Sequence, residues 1–201
     1  QDSSLVKDVE RYNDNKELNR VIGVALNDID GSDELGSLMA DGITHLDEIT
    51  VAFQNAGGIR IDKLPKGNIT IKDMFKLDPF GNEIILLSMN GREIKSLIEE
   101  SFNREKLIDL QVSGLSYKVF TGAEGKASSI KLFLPDGSEA DDNSVFAVGL
   151  SSYIVSSYNF SHTDAGKTLY ITTAQALINF ISEKKEIDYK GVQRAFAEPA
   201  R

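Results

Sequence analysis

The 201-residue sequence contains no cysteine, which excludes disulfide bonds, thiolate metal sites and thiol catalysis. Histidine is scarce as well, since His45 and His162 are the only two. A catalytic pair of metal ions cannot be assembled from the usual ligands with so few imidazoles and no thiolate. His162 and Asp164 lie two residues apart and are the sharpest metal alternative, but this pair alone does not make a catalytic centre. We therefore predict no metal and no cofactor in this chain.

Other catalytic signatures are also missing. The lysine-bearing phosphate loop of nucleotide hydrolases is absent. No Ser-His-Asp set is evident from the sequence. These residue types do occur, however, so a triad assembled in space stays open. We therefore predict no catalytic residue, and we expect binding groups rather than chemistry.

Long apolar runs are absent too, because none approaches the ~18 residues that span a bilayer. Basic residues are in the minority, with 22 Lys and Arg against 31 Asp and Glu and a formal charge of -9. That balance argues against binding a nucleic-acid backbone, but it allows a small anionic ligand held by one or two arginines. The first residue is Gln1, so we expect the chain to have been cut from a longer product.

The composition is that of a globular protein, with 41% hydrophobic and 26% charged residues. Helical and strand patterns occur without the strict alternation of a doubly wound sheet, so we predict one α+β domain over residues 1–201. The predicted helices are 5–12, 34–46, 70–77, 92–102 and 173–184, and the predicted strands are 20–26, 49–53, 83–89, 115–120, 129–134 and 145–150.

A glycine-rich segment, Gln54 to Arg60 (QNAGGIR), directly follows the strand predicted at 49–53. Gly57 and Gly58 let the backbone approach a ligand closely or take positive φ. Asn55 supplies a donor and an acceptor, and Arg60 supplies a planar fork of donors for phosphate or carboxylate. The alternative is a tight turn with a solvent-facing arginine.

The second segment is Asp78 to Asn82 (DPFGN), where Pro79 fixes φ and Gly81 permits an unusual turn. Phe80 is thereby held on a rigid loop between polar residues. A ring held in this way can stack on a nucleobase. The alternative is an aromatic residue tucked into the core, which is the commoner position of phenylalanine.

A third segment, Tyr158 to Gly166 (YNFSHTDAG), combines two aromatic residues with a carboxylate. Its ring and Asp164 would form the other side of a base-binding clamp, with the carboxylate accepting from a ribose hydroxyl or a base amine.

Together the motifs resemble the C-terminal domain of the 5′-nucleotidase family, which also includes 2′,3′-cyclic phosphodiesterases and UDP-sugar hydrolases. The resemblance rests on five elements in order along nearly the whole chain. They are ELGSLMAD at 34–41, NAGGIR at 55–60, GNIT at 67–70, PFGN at 79–82 and Asn90-Gly91 opening a helix.

This resemblance implies a two-domain protein in which an N-terminal metallophosphoesterase domain holds two metals and performs the hydrolysis. That domain is absent from this chain, which is therefore expected to recognise a nucleotide or nucleoside-type molecule and to be inactive alone. The family also implies an extracytoplasmic location. The implied contacts are Asn55 at ribose or phosphate, Gly57 and Gly58 lining the site, Arg60 at phosphate, Phe80 and Tyr158 as stacking rings with Phe160 as fallback, and Asn82 and Asp164 beside them.

The sequence departs from the family at two places. The family's Gly-Gly-Asp-Gly run is His162-Thr163-Asp164-Ala165 here, which adds side chains where the family keeps bare backbone. The segment 28–34 (DIDGSDE) contains no basic residue where many members carry an arginine, so phosphate binding would depend largely on Arg60. These departures favour an alternative, a non-catalytic binding module that kept the fold and lost nucleotide hydrolysis.

Overall fold

The computed structural model describes residues 15–200, so the helix predicted at 5–12 lies outside the described residues. The mixed architecture predicted from the sequence is confirmed. The helices are α1 (Gly31–Thr44), α2 (Ile71–Leu77), α3 (Gly91–Glu105), α4 (Ser152–Ser157) and α5 (Thr173–Lys184). The strands are β1 (Val21–Ala25), β2 (Ile29–Asp30), β3 (Val51–Asn55), β4 (Lys63–Leu64), β5 (Gly67–Thr70), β6 (Glu83–Asn90), β7 (Leu110–Ser113), β8 (Ser116–Thr121), β9 (Ala127–Phe133), β10 (Val145–Ser151), β11 (Lys167–Thr172), β12 (Glu186–Ile187) and β13 (Ala195–Pro199).

A five-stranded sheet forms the centre, in the order β11-β6-β10-β3-β7. β10 and β3 run parallel, whereas the other neighbours in this sheet are antiparallel. β10 pairs with β6 along its whole length, from Val145 opposite Asn90 to Ser151 opposite Ile84. Smaller sheets, β12-β1-β5, β13-β8-β9 and β2-β4, flank this centre.

Side chains alternate between the two faces along each strand of the central sheet. Residues on both faces are buried, so the sheet has a core on each side. Val51, Phe53 and Leu87 belong to a core with the apolar face of α3 and with β8 and β9. Ala52 and Ile84 point the other way and pack with residues of α1 and α5. The candidate site lies between these two layers, where β3 and β10 end and β6 begins.

The capping signals explain where the helices begin. Asp73 N–H donates to Thr70 Oγ1 at 3.3 Å, and Thr70 N–H donates to Asp73 Oδ2 at 3.0 Å, so the capping box predicted for α2 is present. α1 begins at Gly31, earlier than the predicted 34. Backbone N–H groups at this earlier start have hydrogen-bond acceptors. Gly31 N–H donates to Asp62 O at 3.0 Å, and Asp30 N–H donates to Glu34 Oε2 at 2.7 Å.

Candidate functional site

Three chain segments meet at one edge of the central sheet because of its strand directions. β3 and β10 run parallel, so the loop after Asn55 and the start of α4 after Ser151 lie at the same edge. β6 runs antiparallel to β10, so Asn82, which precedes β6, lies at that edge as well. The topology thus brings together the Gln54–Arg60 and Asp78–Asn82 segments, although their nearest residues are 18 positions apart in the sequence.

The glycine loop follows β3, every residue of which is buried. Residues Ala56–Gly58 form a single 3-10 turn. A Cβ at Gly58 would lie 2.2 Å from Gln54 Nε2, closer than real atoms approach, whereas one at Gly57 would meet only Asn55 Nδ2 at 3.2 Å. Gly58 therefore packs closely against the Gln54 amide at the end of β3, and neither glycine has a positive φ.

The Asp78 to Asn82 loop is anchored from below. The Thr173 hydroxyl donates to the buried Asp78 carboxylate, Phe80 N–H donates to Asp78 Oδ1 at 3.4 Å, and Thr173 N–H donates to Asn82 O at 3.0 Å. Burial raises the pKa of Asp78, although the hydrogen bonds from the Thr173 hydroxyl and Phe80 N–H oppose the shift. Gly81 takes a φ of 65°, which glycine adopts without strain. This anchoring leaves the Phe80 ring 51% exposed at the mouth of the site.

The two loops border a cavity of about 220 Å³. Two amide side chains, two aromatic rings and bare glycine backbone form its lining. The lining residues are Asn55, Gly57, Gly58, Phe80, Asn82 and Tyr153. Five of these six were predicted as ligand contacts from the sequence, and the structure brings those five together.

Arg60 lies beside this cavity rather than in its lining. Its guanidinium carbon is 5.5 Å from the centroid of the Phe80 ring, a cation–π distance, and its side chain is exposed. Its backbone N–H donates to Leu77 O at 3.0 Å, which ties the two loops to each other. The guanidinium is thus available to an anionic group on a ligand that contacts Phe80.

The second aromatic residue of the cavity is Tyr153, the second residue of α4, which the sequence did not indicate. Tyr158, predicted as the second stacking ring, is only 5% exposed, and its hydroxyl donates to Asp109 Oδ2 at 2.6 Å. The fallback, Phe160, is 8% exposed and packs on His162 at 4.9 Å between ring centroids. Tyr153 is 43% exposed, so it has the accessible ring that stacking requires.

Asp164 also lies away from the cavity lining. Its carboxylate accepts from Ser88 N–H at 2.7 Å and from Gly166 N–H at 3.0 Å, and these two donors lower its pKa. His162 Nδ1 is 2.7 Å from Asp164 O, a contact to the backbone and not to the carboxylate. The predicted pairing of Tyr158 with Asp164 as the opposing side of the clamp does not match this geometry.

The acidic segment 28–34 is used internally. Asp28 forms an ion pair with Lys63 at 2.6 Å, and Asp33 Oδ1 accepts from Gln111 Nε2 at 2.9 Å. Glu34 accepts from the N–H groups of Asp30 and Gly191, each at 2.7 Å. These contacts stabilise the start of α1 and engage the carboxylates of the segment within the fold.

Between residues 15 and 200, no cluster of three or more acidic or histidine side chains is arranged to hold a metal ion. Within the same residues, none of the helices has the length and apolar content that crossing a bilayer requires. His45, the other histidine, lies 3.0 Å from a Glu183 carboxylate oxygen and packs edge-on against Phe180, so it has an ordinary structural position.

Two curated relatives of this chain are much longer than it is. The chain is 28% identical over 155 residues to Endonuclease YhcR of Bacillus subtilis, an alignment covering 74% of this chain and 12% of that protein. It is 26% identical over 186 residues to the NAD 5′-nucleotidase of Haemophilus influenzae, covering 82% of this chain and 30% of that protein. The chain thus spans less than a third of the length of these two relatives.

Solved structures agree on the fold. The Haemophilus influenzae NAD nucleotidase superposes over 100% of this chain and 42% of its own with a TM-score of 0.76 and 19% identity. A 5′-nucleotidase precursor from Thermus thermophilus covers 99% of this chain and 43% of its own, with a TM-score of 0.74 and 21% identity. Residues 16–162 match the family described as "5′-nucleotidase, C-terminal domain". The chain belongs to the 5′-nucleotidase C-terminal domain family.

Proposed function

We propose that this domain recognises a nucleotide or nucleoside for a 5′-nucleotidase-like phosphoester hydrolase. The cavity between the glycine loop and the Phe80 loop carries the proposal. Its volume of about 220 Å³ suits a group of nucleobase size, and its lining alternates exposed rings with amide groups. That combination of apolar walls and a few placed polar groups is typical of small-molecule sites.

Each lining residue has a defined role in this proposal. The rings of Phe80 and Tyr153 stack on the base, because both are about half exposed and border the same cavity. The amides of Asn55 and Asn82 donate to and accept from the base edge or ribose. Arg60 binds the phosphate, since its guanidinium lies next to Phe80 and outside the cavity.

Hydrolysis belongs to a separate metallophosphoesterase domain in this proposal, either in the same protein or on a partner chain. That domain supplies the divalent metal pair and the reacting water, and this one holds the substrate. Family membership supports an extracytoplasmic location for the whole protein. The isolated chain is expected to release no phosphate from AMP when Mg²⁺, Mn²⁺ or Zn²⁺ is added.

The test is calorimetric titration of the chain with adenosine, AMP and UDP-glucose. AMP is expected to bind more tightly than adenosine, by about 1.5–3 kcal/mol at low salt, because hydrogen bonds to charged groups contribute that much. Arg60→Gln should remove this difference. Arg92→Gln is the matched control, since Arg92 is also exposed but lies at the start of α3, beyond the far end of β6.

Absence of binding by all three compounds at millimolar concentration would reject the proposal. That result would favour the second candidate, a binding module that kept the fold without the nucleotide. The replacement of the family's glycine run by His162–Ala165 favours this candidate, since it adds side chains to a bare segment. Equal loss of AMP affinity in both arginine variants would contradict the role given to Arg60.

A further inference from the structure

A single buried carboxylate connects both sides of the cavity. Asp109 lies between α3 and β7 and is 6% exposed. Its Oδ2 accepts from Tyr158 Oη at 2.6 Å and from Ser101 Oγ at 2.8 Å, and its Oδ1 accepts from Ala56 N–H at 3.2 Å. A buried carboxylate is tolerated only when donors of this kind surround it. Three hydrogen bonds thus fix the position of the Asp109 carboxylate.

The Ala56 contact reaches the glycine side of the cavity. Ala56 lies between Asn55 and Gly57, both of which line the cavity. Its N–H donates to the backbone oxygen of Asp109 at 2.8 Å as well as to the side chain. The start of the glycine loop is therefore fixed by two acceptors from one residue.

The Tyr158 contact reaches the aromatic side. The Tyr158 ring packs edge-on against Tyr153, with 6.3 Å between centroids and an interplanar angle of 78°. The Arg104 guanidinium carbon lies 4.2 Å from the Tyr158 ring centroid, a cation–π distance. The Tyr158 ring thus packs against Tyr153, and Asp109 and Arg104 hold Tyr158 in place.

We propose that Asp109 is a positioning residue that fixes the distance between the glycine loop and the Tyr153 ring, acting through Tyr158 and Ala56. This inference depends on the proposed function, since the cavity must be the ligand site. It also gives Tyr158 a role that differs from stacking. Tyr158 orients the stacking ring and does not touch the ligand.

The ionisation states agree with this arrangement. Burial, followed by the hydrogen bond to Asp109 and the charge of that carboxylate, raises the pKa of the Tyr158 hydroxyl. The nearby Arg104 opposes the shift without reversing it. Tyr158 therefore remains a protonated donor, and the contact to Asp109 persists across the physiological pH range.

The test compares Tyr158→Phe with Tyr189→Phe. Both changes remove one tyrosine hydroxyl that donates to a carboxylate at 2.6 Å, but the Tyr189 bond goes to Asp41, away from the cavity lining. Two quantities are measured for each folded variant. They are the backbone amide resonances of residues 56–58 in the ligand-free protein, and the affinity for adenosine.

Tyr158→Phe should move the resonances of residues 56–58 and lower adenosine affinity about threefold to tenfold, since part of a charge-assisted hydrogen bond is transmitted to the site. Tyr189→Phe should leave both unchanged even if it lowers the melting temperature equally. Equal behaviour of the two variants would overturn the proposal. Moved resonances with unchanged affinity would overturn it too, because the network would then be structural only.

Ser101→Ala is the second variant and decides the matter if Tyr158→Phe does not fold. It removes the other hydroxyl on Asp109 Oδ2 and keeps the Tyr158 ring. If the unmodified chain binds no adenosine, the proposed function fails, whereas the ligand-free resonances still decide whether Asp109 positions the loop. If the resonances of residues 56–58 do not move in either Tyr158→Phe or Ser101→Ala, the positioning role of Asp109 is rejected independently of any ligand.

Discussion

Gly58→Ala tests how closely the glycine loop packs on the end of β3. A Cβ at this position would lie 2.2 Å from Gln54 Nε2 and 3.2 Å from Asn55 Oδ1. Gln54 is 3% exposed, and its Nε2 donates to Asn55 O at 3.1 Å, so the amide has little room to move. Overpacking of this kind costs about 1–3 kcal/mol, which lowers the melting temperature of a domain this size by roughly 2–12 °C.

The neighbouring glycine supplies the control. Gly57 is exposed, and a Cβ there would lie 3.2 Å from Asn55 Nδ2. Gly57→Ala should therefore lower the free energy of unfolding by no more than about 0.5 kcal/mol. Chemical denaturation of both variants, followed by circular dichroism, measures the difference in the free energy of unfolding. A double-mutant cycle with Gln54→Ala identifies the cause, because removing the amide should remove most of the Gly58→Ala penalty. Equal costs at the two glycines, or an undiminished penalty in the Gln54→Ala background, would refute the packing argument.

Two further predictions concern the aromatic wall and the cap of α2. Phe80→Leu should weaken adenosine binding by about 1–3 kcal/mol in calorimetry, while Phe75→Leu, at a residue that is 44% exposed on α2, should not; equal losses would argue against stacking by Phe80. Burial alone would raise the pKa of Asp73, but hydrogen bonds from Thr70 and Lys76 outweigh it and the pKa is lowered. The charged Asp73 thus stabilises the fold above its unfolded pKa, and this contribution disappears as pH falls through the lowered one. Asp73→Asn should therefore lower the free energy of unfolding by about 0.5–1.5 kcal/mol at pH 7 and by less below about pH 4, as measured by urea titration; a deficit that does not vary with pH would contradict the assignment.

Local signals made much of the fold predictable. The helix at 173–184 and the capped helix after Thr70 were predicted at their observed positions, because both combine an apolar face with a capping residue. Seven strands were missed, since a short strand is defined by its partner rather than by its own pattern; they are β2, β4, β5, β7, β11, β12 and β13. β13, for example, pairs with β8 from about 80 residues away along the chain and is largely exposed.

The site was predictable where its residues form contiguous motifs and not where they are joined by topology. The glycine loop and the Phe80 loop each have a local signature, but Tyr153 lies on a six-residue helix that looks like a continuation of β10. The family resemblance indicated Tyr158 as the second ring instead. One signal was present, because Tyr153 lies two residues after β10. β10 runs parallel to β3, so both strands end on the side of the sheet that carries the glycine loop.

The central claim is that the cavity between these loops binds a nucleoside, and an NMR titration of the ¹⁵N-labelled chain with adenosine tests it most directly. The amide resonances of Gly57 and Gly58 should shift saturably, because both residues line the cavity. The resonance of Gly137, in the turn after β9, should remain in place. Unshifted Gly57 and Gly58 resonances at millimolar adenosine, or shifts confined to another surface, would contradict the assignment of this cavity as the ligand site.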